Sequence, residues 1–343
     1  MRNRDWVIVV AAALCVVGRA AADDAEDKAV ATVERLGGQV ERDADKPGKP
    51  VRDVTLSGKG VTDADLKDLA GFKTLDGLTL NDTEVTDAGL KELAQFKQLY
   101  ALCLSGAKVT DAGLKELAPL KLIYLHLGTT GITDAGIKEL APLEGLKTLI
   151  LDGTGVTDFG AKELAQLKGL TTLNLARTGV TDAGLKEVAQ LKQLVYLNLR
   201  GTKVTAAGLK ELAQLKGLDY LYLDSTGATD ACFKELAKHK GLRVLNLNST
   251  EVTGAGLKEL ALLPGLIELH LGETKVTDAT LKELAQLKGL TWLNLGGTKV
   301  TNAGLKELAA LTKLHTLYLG DTEVTDAGIE GLKKALPKCE ITR

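Results

Sequence analysis

From Val51 onward the apolar positions of this chain recur at a fixed interval, and that interval organises the molecule more strongly than any local propensity. The segment Leu170–Gln190 reads LTTLNLARTGVTDAGLKEVAQ, and the pattern returns with its Val position at residues 61, 85, 109, 132, 156, 180, 204, 228, 252, 276, 300 and 324. The step is 24 residues except once, a 23-residue step into Ile132, where Lys121-Leu122 lacks the Gly of Lys168-Gly169-Leu170. A period of this length marks one elongated stack of like units rather than two ordinary domains. The deletion falls in a helix-to-strand turn, which absorbs it without shifting the core.

Within a unit the alternation Leu173, Asn174, Leu175 predicts a strand with one buried face, and twelve such strands stack as a parallel sheet. The pair Thr181-Asp182 offers oxygen acceptors to the free amides of a following helix, whose apolar stripe is Leu185, Val188 and Leu191. Gly169 or its equivalent is expected to end the helix. A single unit cannot bury both its strand and its helix face, so stability has to come from stacking. In one unit Phe159 replaces the usual Ala and Ala161 the usual Leu, read as a swap that conserves core volume.

The flanks differ. Arg2 and Arg4 precede the apolar run Trp6–Val17, and Ala20-Ala21-Ala22 offers a small-residue cleavage site, so residues 1–22 are expected to be a signal peptide and the protein secreted or periplasmic. The run is too short to span a bilayer, and no later segment is apolar enough, so no transmembrane segment is expected after cleavage. Residues 23–50 carry Val30, Val33 and Leu36 at helical spacing, then Gly37-Gly38, a short polar strand and the Lys46-Pro47-Gly48 turn, as an N-terminal cap would. Residues 51–336 are the repeat domain, and 337–343 a closing partial strand.

Composition narrows the function. The formal charge of −2 becomes about −4 once residues 1–22 are removed, which argues against nucleic acid as a partner. Cys103, Cys232 and Cys339 are odd in number and lack CxxC spacing, so neither a disulfide framework nor a metal site is expected. His126 and His270 stand six repeats apart with no acidic or nucleophilic companion at a diagnostic spacing, and no catalytic residue is assigned. Gly153-Thr154-Gly155 and Gly296-Gly297-Thr298 lack the rest of a phosphate loop and read as turns. The recurrent Asp63, Asp87, Asp111, Asp134, Asp158, Asp182, Asp230, Asp278 and Asp326 read as helix caps, not a calcium array, since Ala206 and Gly254 interrupt the series. No cofactor is expected.

The unit LxxLxLxxTxVTDAGLKELAQLKG over residues 51–336 resembles the leucine-rich-repeat family, specifically bacterial secreted forms close to the cysteine-containing repeats of F-box substrate receptors. Thr178, Thr202 and Thr226 stand where that family has Asn or Cys, and no segment resembles an F-box. The resemblance implies an α/β solenoid, a curved arc or horseshoe with a parallel sheet on the concave face and helices on the convex face. It further implies that the concave sheet binds a partner without saying which; the width of the exposed strands suits a protein, a peptide or a glycan, and a non-enzymatic binding module is expected.

On such a sheet three positions per unit face the concave side. Of the seven Tyr and Trp beyond the leader, Tyr124, Tyr196, Tyr220, Tyr222, Trp292 and Tyr318 occupy those positions, whereas Phe72, Phe96, Phe159 and Phe233 lie on the helix side. Around Tyr196, Tyr220, Tyr222 and Trp292 fall Asn198, Arg200, Asp224, Asn246, Asn248, Glu268, His270 and Asn294, which strands about 4.8 Å apart gather into one candidate partner-binding patch. Arg200 and Asp224 share a register and are expected to pair. Strand preference alone also places aromatics there, so the alternative is a structural or spacer array without a single site.

Overall fold

The computed structural model describes residues 24–343, and the expected signal peptide at 1–22 lies outside them. They form two compact units, one ending at Ile132 and one beginning at Thr133. In the first, a helix over 24–35 buries Ala29 and Val33 and leads into β1 (Gln39–Arg42), which pairs antiparallel with β2 (Val51–Thr55). From β2 the sheet runs parallel through β3 (Gly77–Thr79), β4 (Ala101–Cys103) and β5 (Tyr124–His126).

The second unit continues the same design with β6 (Thr148–Ile150), β7 (Thr172–Asn174), β8 (Tyr196–Asn198), β9 (Tyr220–Tyr222), β10 (Val244–Asn246), β11 (Glu268–His270), β12 (Trp292–Asn294), β13 (Thr316–Tyr318) and β14 (Glu340–Thr342). Neighbours in sequence are neighbours in the sheet, all parallel, and the middle residues Leu149, Leu173, Leu197, Leu221, Leu245, Leu269, Leu293 and Leu317 form one register line ending at Ile341. Each strand is three residues long because the chain soon turns through a left-handed residue. Gly153, Gly201 and Gly297 occupy that place, and in other repeats Arg177, Ser225, Ser249 and Glu273 adopt it with φ of 55–57°. Those side chains accept the αL conformation because the surrounding stack fixes the turn.

The core is the leucine column the repeat predicts: Leu173, Leu175, Val180, Leu185, Val188, Leu191 and Leu194 are all fully buried. Beneath each strand end a buried threonine closes the turn internally. The Thr154, Thr178, Thr202 and Thr226 hydroxyls each donate to the leucine carbonyl three residues earlier, at 2.5–2.7 Å. Threonine therefore satisfies its own repeat instead of bridging to the next.

Two expectations about the helices are corrected. The helix Asp158–Leu164 ends well before Gly169, which is not left-handed. A Cβ there would stand 3.2–3.4 Å from Lys147 Nζ, the Leu146 carbonyl and the Glu144 carbonyl, so this glycine eases close stacking on the preceding repeat and is not a cap. Nor do Phe159 and Ala161 exchange volume. Ala161 is fully buried but the Phe159 ring is 79% exposed, because positions two apart on a helix point to opposite sides. Phe72, Phe96 and Phe233, by contrast, all fill buried leucine places.

The Thr-Asp pairs divide their labour differently from simple capping. Thr181 does cap its own helix, its hydroxyl oxygen accepting from the Ala183 amide. Asp158 instead reaches forward one repeat: its Oδ1 accepts from the Thr181 and Gly184 amides at 2.8 and 2.9 Å, and its Oδ2 from the Thr181 hydroxyl at 2.6 Å. Asp63 holds Thr86, Asp87 holds Thr110, Asp134 holds Thr157, Asp182 holds Thr205, Asp230 holds Thr253 and Asp278 holds Thr301 in the same way. Asn302 takes this place for Thr325, its Oδ1 accepting from the Thr325 amide while its Nδ2 donates to the Thr325 hydroxyl oxygen.

This contact explains the glycine of the Asp-Ala-Gly triplet. A Cβ on Gly89, Gly113, Gly160, Gly184, Gly208 or Gly304 would lie 2.3–2.5 Å from the preceding repeat's Asp Oδ1. Where no aspartate precedes, the glycine is gone as well: Ala206 is followed by Cys232, Gly254 by Thr280, and the first repeat carries Asp65. We expect Asp158→Ala to cost about 2 kcal/mol. Gly184→Ala should destabilise the natural chain through overpacking, yet approach the roughly 1 kcal/mol gain of an ordinary helical Gly→Ala change once Asp158 is Ala. Chemical denaturation of the four-member cycle reads this coupling, and additive effects would refute the lock.

One core position departs from leucine altogether. His239 takes the place held by Leu191, Leu215 and Leu263, is 2% exposed, and bonds the Leu215 carbonyl through Nδ1 at 3.2 Å, while its Nε2 is buried with no partner. Burial, aided by Lys216 and Lys238, holds its pKa below the ordinary imidazole value against the opposing pull of the Leu215 carbonyl. The unfolded chain therefore takes up a proton that the folded one refuses, so stability is full above about pH 6.5 and falls as the pH drops below it. His239→Leu should raise stability by about 1–2 kcal/mol and flatten this acid limb, as thermal melts across pH would show.

Candidate functional site

The sheet face of the second unit carries all twelve residues of the expected patch. Register alignment puts Tyr196, Tyr220, Val244, Glu268 and Trp292 in one row and Asn198, Tyr222, Asn246, His270 and Asn294 in the next. Arg200, Asp224 and Asn248 follow at the strand ends. Tyr124 lies apart, in the first unit, beside Cys103 on β4. The aromatic residues alternate with buried leucines, so each half-buried ring sits on a backbone fixed from beneath.

The rings form two groups. Tyr196 lies 6.2 Å from Tyr220 and 5.2 Å from Tyr222 between centroids, tilted by 33° and 39°. Farther along, His270 packs on Trp292 at 4.1 Å and bonds Glu268 Oε1 through Nε2 at 2.6 Å. Read from sequence as lacking an acidic companion, His270 is instead half-buried and held from two sides. The signal was the i, i+2 spacing of Glu268 and His270, which one strand face brings together.

The asparagines are partly committed to the fold. Asn198, Asn246 and Asn294 accept through Oδ1 from the amides of Arg200, Asn248 and Gly296, shaping the strand exit. Asn248 Oδ1 accepts from the Gly272 amide at 2.6 Å. Next to it, the Asn248 and Asn294 side chains lie over Gly272, and Tyr318 lies over Gly296 and Gly320. A Cβ at Gly296 or Gly320 would come within 2.5 Å of that tyrosine. Sequence reasoning placed Tyr318 on this face but left it out of the patch, and it missed the glycines, whose meaning depends on the neighbouring strand.

Arg200 and Asp224 pair as expected, Nε to Oδ2 at 3.0 Å. Asp224 is 6% exposed, and its Oδ1 is buried without a hydrogen-bond partner. Burial raises its pKa, only partly offset by Arg200, its own backbone amide and His270. The Tyr222 phenol is pushed up to about 12, first by burial and then by Tyr196, Glu268, Tyr220 and Asp224 around it. The cysteines offer no ready thiolate: burial pushes Cys232 up to about 12 and shifts Cys103 and Cys339 the same way. Among the described residues no group of three or more His, Cys, Asp or Glu is placed to hold a metal, and no helix is long and apolar enough to cross a membrane.

Comparison with protein-family models matches residues 114–263 to a leucine-rich repeat region and residues 310–333 to a further leucine-rich repeat. The chain is a leucine-rich-repeat solenoid. Solved structures bear out the fold: an internalin from Listeria monocytogenes aligns over 92% of this chain and 93% of its own, at 22% identity and a TM-score of 0.65. A leucine-rich-repeat protein of Leptospira interrogans aligns over 81% of this solenoid and 74% of its own length, at 28% identity and a TM-score of 0.59. No curated protein matches the leucine-rich-repeat chain in sequence.

The carboxylate of Asp224 has a testable cost. With the folded pKa raised, folding favours the protonated form, so its contribution is full at low pH and is lost as the pH rises through the carboxyl range. Asp224→Asn should therefore stabilise the solenoid by about 1 kcal/mol at neutral pH, with little effect below about pH 4. Denaturation midpoints at the two pH values check the sign.

Proposed function

We propose that this solenoid is a non-enzymatic binding module that recognises a partner macromolecule, a protein or peptide before a glycan, through the sheet face from Tyr196 to Asn294. The observation that carries this reading is the gathering of Tyr196, Tyr220, Tyr222 and Trp292 on one face, around a buried carboxylate whose bonding is incomplete. Tyrosine and tryptophan bring large, stiff contact area at low entropic cost and dominate binding energies at interfaces. Leucine-rich-repeat folds commonly serve as binding scaffolds, which supports the class of function; the location on this face is our own reading. The bacterial secreted subtype and a secreted or periplasmic location belong to the same proposal and rest on residues 1–22 and the repeat consensus.

A second reading, a structural array without a single site, draws support from the uniform Asp-to-Thr contacts between repeats, which would stiffen any spacer. The two readings part on one comparison. Quantitative affinity capture from the envelope and secreted fraction of the host should enrich a partner with the natural chain. It should lose at least about tenfold of it, roughly 1.4 kcal/mol, with Tyr220→Ala, Tyr222→Ala and Trp292→Ala combined. Both forms must melt alike. Equal capture by both would leave the array reading in place.

A further inference from the structure

Within the proposed binding face, the three-tyrosine group and the Asp224 carboxylate combine two features that serve the same kind of ligand. Tyr196, Tyr220 and Tyr222 project from adjacent strands, Tyr196 lying 6.2 and 5.2 Å from the other two between centroids, so that three ring quadrupoles gather within one small area. A cation within about 6 Å of such rings is attracted by their quadrupoles, most strongly when desolvated. Asp224 follows the strand that carries Tyr220 and Tyr222, two residues past the latter, and is more than nine-tenths buried. One of its oxygens meets Arg200 Nε and the other meets no donor. A buried carboxylate oxygen without a donor costs free energy, and natural structures keep one where a ligand supplies the missing hydrogen.

We propose that Tyr196, Tyr220, Tyr222 and Asp224 form a subsite for the cationic side chain of an arginine or lysine presented by a protein partner. The inference rests on the binding reading above and specifies its chemistry. The charge in the patch favours it. Arg200 is the single arginine or lysine among the twelve residues, its own side chain is 61% exposed, and it is engaged by Asp224, whereas Glu268, bonded to His270, adds a second carboxylate two strands from Tyr220. The surroundings that hold the Tyr222 phenol in its protonated form are desolvating and negative, the field that stabilises a bound cation. The incoming donor reaches Oδ1 by a rotation of the side chains above it, a change that interfaces commonly make.

The test uses the full chain and three synthetic pentapeptide amides that differ only at the centre: Gly-Gly-Arg-Gly-Gly, the same with citrulline, and the same with glutamate. Tyrosine-ring resonances are followed by NMR. The arginine peptide should shift the rings of the three tyrosines saturably, with affinity falling as salt rises, while the citrulline and glutamate peptides should bind at least about tenfold more weakly. Asp224→Asn should keep the fold and lose the arginine preference. Arg200→Ala, which removes the resident competitor, should bind the arginine peptide more tightly, an opposite sign that a merely structural pair would not give. Equal shifts from the citrulline peptide, unchanged binding by Asp224→Asn, or maltose perturbing the rings where the arginine peptide does not would each overturn the subsite. A captured partner that is lost by the triple aromatic variant but kept by Asp224→Asn would leave the binding face standing and the cation subsite refuted.

Discussion

The structure depends on one polar contact repeated along the stack, the reach of an aspartate at the first turn of each helix to the threonine that caps the next. Hydrophobic burial holds each repeat against its neighbour but is non-directional, and leucine columns alone would tolerate sliding and rotation. The carboxylate adds direction. Asp158 takes two hydrogen bonds from Thr181 and one from Gly184, and Thr181 in turn caps Ala183, so the start of one helix is positioned by the start of the one before. Parallel bridges between Thr157 and Gly179 and between Thr181 and Lys203 run beside these contacts. On the other side the backbone ladder keeps the strands in one register, including where Ala206 and Gly254 lack the carboxylate, and side chains from separate repeats meet.

Much of this was legible in the sequence. Period, strand alternation and leucine stripe identified the unit, and they also sorted the aromatic residues onto the sheet face, where the rings of Tyr196, Tyr220 and Tyr222 cluster. What escaped was chemistry between repeats. Asp158 was read as a cap because sequence proximity suggests local bonding, while its partners lie 23 and 26 residues on. The clue was nevertheless present as a coupled pair of exceptions: Cys232 and Thr280 replace glycine only where Ala206 and Gly254 have replaced aspartate one repeat earlier. Phe159 misled for the opposite reason, since its apolar character outweighed its position on the outer side of a short helix.

The asparagines and glycines of the site show a second limit. Asn198, Asn246 and Asn294 are as much turn residues as surface donors, because each spends its carbonyl oxygen on the amide two positions ahead. Gly296 and Gly320 acquire meaning only when Tyr318 is seen lying on them, and Gly272 when Asn248 and Asn294 are. Neither role follows from composition or period. Both concern how one strand's side chain uses the backbone of another.

Departures from the repeat rule that cost stability concentrate in one stretch of the second unit. Ala206 and Gly254 withhold the carboxylate from the repeats that follow, and among the described residues no parallel bridge joins Thr229 to residue 251 or Thr253 to residue 275. The helix after Thr229 starts late, at Cys232, and its successor is a 3-10 helix entered through left-handed Gly254 and Gly256. His239 puts an incompletely bonded imidazole into the core of this stretch, and Asp224 an incompletely bonded carboxylate at the strand end. A stack selected for rigidity alone would carry the consensus here as it does at Asp158–Gly184. Local rules broken together, around the repeat that carries Tyr220, Tyr222 and Asp224, are what the proposed binding face would cost its scaffold. That coincidence adds to the clustered aromatic residues in favouring the proposed recognition surface over a spacer.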